Sequence, residues 1–215
     1  MPSGTNTSLV NNAGETALHA ILKGWAVRQG NAVLEEVRWF MDAGLTSMHR
    51  DHMGNTPLHA LCATRLDFPC EEWDQSPGRE TADYLLSIDE GKACHVKNKE
   101  GYQPIHLAAA NSKVLAWKLI TMGVSTTART NDGKGLLHIA AAAGQGTIVG
   151  LLLDHYRASG ELEYQLGQTD NTGSTPLQLA CRIDCSASVE LLTKAGAGLD
   201  ARDEAGLTPT GVSSE

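Results

Sequence analysis

Four histidines stand in matching frames: His19 in "GETALHA", His59 in "GNTPLHALCA", His106 in "GYQPIHLAAA" and His138 in "GKGLLHIAAAA". Imidazole is the commonest metal ligand and the usual acid–base group near neutral pH, so four copies raise a metal centre or a catalytic cluster. A tetrahedral zinc would need them to converge, since its ligands lie about 2 Å from the ion. A second set, His49 and His52 in "HRDH" with His95, is a smaller candidate for metal binding or proton sensing. The five cysteines, Cys62, Cys70, Cys94, Cys181 and Cys185, do not join these histidines in any zinc-module spacing. Nucleophilic catalysis finds no G-x-S-x-G and no phosphate-cradling glycine loop.

The elements that carry the histidines settle what they can do. The glycines opening these frames, with two more copies, are Gly14, Gly54, Gly101, Gly133, Gly173 and Gly206, spaced by 40, 47, 32, 40 and 33 residues. A further glycine lies ten residues upstream in five of six cases, at Gly4, Gly44, Gly91, Gly123 and Gly196; Glu163 takes that place before Gly173. Thr56 is expected to cap a helix through its hydroxyl, with Pro57 at the first helical position, where no amide donor is required. Thr175 with Pro176 repeats this, and Thr16 keeps the cap, whereas Gln103 and Gly135 give it up, so the third and fourth units should start less firmly. Short alanine-rich helices follow, then second helices. One is "AVLEEVRWFMDAG", where Leu34, Val37, Phe40 and Met41 form a helical stripe. Cys181 and Cys185, four apart, are expected on one helix face.

Repetition of a two-helix unit sets successive histidines about 10 Å apart, the separation of packed helices. They form a row and cannot focus on one ion. Each ring is expected to hydrogen-bond the capping hydroxyl or the backbone of an adjacent arm. Gln178 in the fifth copy fits, because an amide makes such bonds but is a poor zinc ligand.

Paired glycines, Thr-Pro-apolar-His and an alanine run, recurring in register from residue 4 to about 211, resemble the ankyrin repeat. The resemblance implies an all-α solenoid of stacked helix-turn-helix units with β-turn arms and a concave binding face. Five helix-pair repeats are expected over 14–53, 54–100, 101–132, 133–172 and 173–205. A partial arm precedes them at 1–13, and 206–215 is a truncated or degenerate repeat, so the chain is read as either an excised part of a longer array or a domain with degenerate ends. Against a 33-residue unit, about seven extra residues fall near "GWAVRQGNA", about fourteen in 64–79 and about seven in "YRASGELEYQLGQ". In 64–79, Phe68 and Trp73 are either anchors of an acid-rimmed partner loop or aromatics folded back on the second repeat.

Seventeen basic against 25 acidic residues give a net charge of −8 with no basic run, the wrong sign for nucleic acid or anionic membrane. The longest apolar run is far shorter than a membrane span. An odd, scattered cysteine set points to a reducing compartment, cytosol or nucleus. By the resemblance, a partner is met by residues flanking each repeat's first glycine and by those after the alanine run. These are Asn12 and Glu15; His52, Met53 and Asn55; Lys99, Glu100 and Tyr102; Asn131, Asp132 and Lys134; and Asn171, Thr172, Ser174 and Arg182. Tyr102 is the leading hot spot, and Lys99 with Lys134 would favour an acidic partner. The expected function is a non-catalytic, monomeric, cofactor-free scaffold or adaptor for a protein or peptide. The alternatives are a recruiting arm of a larger enzyme or secreted effector, and a direct enzyme inhibitor.

Overall fold

The structure is a computed structural model that describes residues 9–24, 32–65 and 77–211. It is all-α: among the described residues there are helices and turns but no strand. The chain divides into two compact units, residues 1–107 and 108–215.

In the first unit, α1 (Ala17–Lys23) packs on α3 (Pro57–Cys62) and on α2 (Ala32–Asp42), while α2 packs on α4 (Pro77–Ser87). A 3₁₀ segment, Ile88–His95, follows and packs on α4. Helices of six or seven residues are too short to persist alone, so burial must hold them. Leu18, Leu22, Leu58 and Leu61 are nearly or fully enclosed, and from the α2 stripe so are Leu34 and Val37. Phe40 and Met41 are half-buried, and Trp39 is exposed.

The boundary between the units falls within α5 (Pro104–Asn111). In the second unit, α7 (Leu136–Ala142) packs on α10 (Pro176–Arg182). The longer α8 (Gly146–Ser159) packs on α6 (Lys113–Thr121), α7, α9 (Leu162–Leu166) and α11 (Ser186–Lys194). Ala140, Ala141 and Ala180 are fully buried, so small side chains form the seam between first helices.

Three sequence expectations change. The insertion at 64–79 is not loop to its end: α4 starts at Pro77, because proline suits a first helical position. The stretch "YRASGELEYQLGQ" is not a loop. It prolongs α8 to Ser159, turns at Gly160 in the left-handed region (φ 76°) and forms α9. Tyr156 accounts for this: it is fully buried, and its hydroxyl donates to the Thr126 carbonyl at 3.0 Å. Finally, Cys181 lies in α10 whereas Cys185 is the N-cap of α11, so the two do not share a helix.

Candidate interaction surface

The arms that carry the candidate contacts are five-residue loops closed by one recurring device. The residue three before each arm glycine accepts the glycine N–H through its carbonyl, at 2.8–3.0 Å in Asn11, Asp51, Asn98, Thr130, Asp170 and Asp203. Its side chain then accepts from amides further along the loop. Asp51 Oδ1 takes Met53 N and Asn55 N, both at 2.8 Å, and Oδ2 takes Asn55 Nδ2 at 3.0 Å. Asn98 takes Glu100 N and Tyr102 N, and Asp170 takes Thr172 N and Ser174 N. Burial by itself would raise the carboxyls of Asp51 and Asp170, but these hydrogen bonds outweigh it and hold both below the ordinary aspartate value.

Arms are tied to neighbours by one backbone hydrogen bond each. In the first unit His52 N donates to Ala13 O (2.8 Å) and Lys99 N to Met53 O (2.9 Å). In the second, Asn171 N donates to Asp132 O (2.9 Å) and Glu204 N to Thr172 O (3.1 Å). This close approach is why Gly54 is glycine: its φ is +81°, and a Cβ there would lie 3.1 Å from Lys99 N.

Three of the histidines, His19, His59 and His138, lock the arm that follows to their own helix. In His59, Nδ1 accepts from Thr56 N (3.1 Å) and lies 2.9 Å from the Thr56 hydroxyl, while Nε2 lies 2.9 Å from the Tyr102 carbonyl. His19 repeats this with Thr16 and the Asn55 carbonyl, and His138 with Gly135 N and the Ser174 carbonyl. An acceptor at Nδ1 and a carbonyl at Nε2 require the neutral ring protonated on Nε2. Burial drives these rings the same way, below the ordinary imidazole range for His19 and His59 and down to about 4 for His138. Gln178 reproduces the bonds: Oε1 accepts from Thr175 N (2.8 Å), and Nε2 donates to the carbonyls of Ala201 and Leu207.

Two expectations sharpen here. Thr56 sits in a capping box with His59, its side chain facing the His59 amide while its hydroxyl lies 2.9 Å from the ring; Thr175 accepts from Gln178 N at 3.3 Å. Where Gln103 and Gly135 replace threonine, the ring still accepts the cap N–H, at 3.0 and 3.3 Å. In His19, His59 and His138 both ring nitrogens are thus engaged, leaving no lone pair for a metal. Among the described residues no group of three or more His, Cys, Asp or Glu side chains could hold a metal ion.

Of the sequence-derived contacts, Asn12, His52, Met53, Lys99, Glu100, Asn131, Asp132, Asn171, Thr172 and Arg182 are exposed. Glu15, Asn55, Tyr102 and Lys134 are half-buried. Glu15 pairs with Lys23, Asn55 accepts from Asn98 Nδ2 at 2.8 Å, and the Tyr102 ring meets His106 edge-on at 6.0 Å. Ser174 is fully buried, its hydroxyl accepting from Arg182 at 3.0 Å, so it offers a partner no surface. Phe68 and Trp73 lie outside the described residues. Sequence reasoning passed over the Asp, Asn or Thr three residues before each glycine, a signal present in every copy. It also passed over Arg129, which donates to the carbonyls of Gly133 and Thr169 (both 2.9 Å) and to the Gln168 side chain.

Comparison with known proteins bears on this architecture. A family model described as ankyrin repeats (3 copies) matches residues 75–163 and again 115–203. The chain is 31% identical over 156 residues to the B-cell lymphoma 3 protein of Homo sapiens, covering 71% of this chain and 31% of that protein. It is 25% identical over 111 residues to the nuclear factor NF-kappa-B p105 subunit of Gallus gallus (51% of this chain, 11% of that one). It is 26% identical over 181 residues to the transient receptor potential cation channel subfamily A member 1 homolog of Caenorhabditis elegans (84% and 13%). The chain therefore spans about a third or less of the length of these relatives.

Proposed function

Because the chain belongs to the ankyrin-repeat family, whose repeats are generally non-catalytic protein-interaction modules, we propose that it is a scaffold or adaptor. It holds a protein or extended peptide on its arm tips and the adjoining ends of its first helices, as a monomer in a reducing compartment. One observation carries this reading. The arm residues that reach solvent, such as Met53 (48% exposed), sit on loops whose backbone is fixed by the buried Asp51 carboxylate and by hydrogen bonds to the next arm. A loop fixed before binding loses little conformational entropy on binding, so modest contacts yield useful affinity.

The test is cross-linking mass spectrometry from native extract to find the partner, followed by alanine at Tyr102, Met53 and Lys134. Helical circular dichroism should persist while capture falls by about tenfold, the cost of losing one good contact. Unchanged capture overturns the arm-tip assignment. A second reading, a recruiting segment within a longer protein, is favoured by the small share of each relative that the chain spans.

A further inference from the structure

The chain has four tyrosines, and three of them serve the fold. Tyr156 is fully buried and gives its hydroxyl to the Thr126 carbonyl. Tyr84 is half-buried, with the Arg38 guanidinium 5.3 Å from its ring centroid. Tyr102 is half-buried against His106. Tyr164 differs: it is 65% exposed, and its side chain has no hydrogen bond or ring contact among the described residues. A large aromatic ring gains by burial, so the fold does not explain one left standing in water.

Tyr164 also sits in an element that the other repeats lack. α9 is the added helix of the fourth repeat, five residues long, and Gly160 and Gly167 bracket it. A helix of that length has almost no stability of its own, and within it only Gln165 and Leu166, at its far end, are buried. It can therefore open locally while α8 and the next arm stay in place. The two acids just ahead of the tyrosine, Glu161 and Glu163, have no cation paired with them among the described residues. The nearest cation along the chain, Arg157, is taken by Asp154 at 2.9 Å.

We propose that Tyr164 is a phosphorylation site, the acceptor for a protein tyrosine kinase with a basic substrate groove. Glu161 and Glu163 meet the cations of that groove, and the opened α9 segment lies along it. The phenol oxygen bonds the γ-phosphorus of ATP, the bridging P–O bond to the β-phosphate breaks, ADP leaves, and the phenol proton passes to the kinase's base. The new phosphate carries about −1.5 to −2 near pH 7 and stands beside two uncompensated carboxylates. No arginine of α9 holds it, so it faces outward to an arginine-lined phosphotyrosine pocket of a partner. This site does not depend on the interaction-module reading of the arms.

The test incubates the full chain with ATP, magnesium and the catalytic domain of a tyrosine kinase that prefers glutamate ahead of its tyrosine. Mass spectrometry should place a single phosphate, at Tyr164. Tyr164→Phe should abolish labelling with helical circular dichroism retained, because the ring it alters is exposed. Glu161→Lys with Glu163→Lys should slow labelling about tenfold, and Tyr84→Phe should leave it unchanged. A peptide of residues 157–170 reports the rate with no fold to open, and the folded chain should keep pace with it. No label at Tyr164 of the folded chain overturns the proposal, whether or not the peptide is labelled. So does a phosphate that appears first on Tyr84 or Tyr102, or spreads evenly over the four tyrosines. Indifference to the charge reversal overturns the basic groove.

Discussion

The arms of the first unit and those of the second share one backbone design but differ in how far their cations are exposed. Arg50, Lys97 and Lys99 stand exposed on the first pair. In the second unit Arg129 turns back across its own arm to the carbonyls of Gly133 and Thr169, and Arg182 pairs with Asp203, whose side chain is 2% exposed. Lys134 sits 3.8 Å from Asp132. The same residue types are therefore bound to loop carbonyls and a buried carboxylate in one region and more exposed in the other, and geometry decides which. Arg129 braces its own arm through two carbonyls, whereas Arg50 gives its bond to the Lys97 carbonyl of the next arm and stands beside a loop already fixed by Asp51.

The largest effect expected on this contrast comes from acid. Folding lowers the pKa of His138, so its contribution is fully present above about 6.5, the unfolded value, and is lost as pH falls toward about 4. The loss is on the order of 3 kcal/mol for the second unit. Urea midpoints measured across that range should fall steadily, and a flat profile would remove the neutral-ring account. His19 and His59 shift the same way and add to the loss in the first unit. Further acidification below about 4 removes what the depressed carboxyls of Asp51 and Asp170 contribute.

Next in size is Arg182→Ala, which leaves the buried Asp203 carboxylate without its cation and the Ser174 hydroxyl without its donor. Discounted for the exposed side of the pair, about 2 kcal/mol should be lost. Restored stability in the double variant with Asp203→Asn would confirm the cause. Arg129→Ala should cost about 1 kcal/mol, since the carbonyls it serves can turn to water. Faster amide exchange at Gly133 and Lys134 would be its signature. Smallest is Lys99→Ala, expected to shift stability by less than about 0.5 kcal/mol while weakening partner capture. A stability loss as large as that of Arg182→Ala would erase the distinction between the two units.

Much of the fold was legible because its determinants are local. A glycine, a cap three residues before a histidine and an alanine run each act within one turn of chain, so repetition exposed them. The histidine bonds were foreseen in kind, since His59 sits three residues after its cap. The backbone of an adjacent arm was expected as the far partner, but not which carbonyl, because those of Tyr102 and Ser174 lie 43 and 36 residues from the rings they receive. The burial of Ser174 escaped for a similar reason: it flanks its glycine as the half-exposed Asn55 does, and only Arg182 folding over it closes it in. Helix α9 was missed because Gly160 reads as the start of a loop, and nothing nearby shows that Leu166 will be buried.

The fixed direction of the imidazole bonds sets where the chain can be cut. In His19, His59 and His138 the ring gives its N–H forward, to a carbonyl in the arm that follows, and takes its own cap's N–H behind. A truncation just after a first helix would strand a buried donor in the last retained repeat, at about 1–3 kcal/mol. One made after the next arm would keep that donor satisfied. Trimmed versions of this protein should therefore end beyond an arm, as the carbonyls of Ala201 and Leu207 serve Gln178, and not at the helix boundary where a repeat is conventionally drawn.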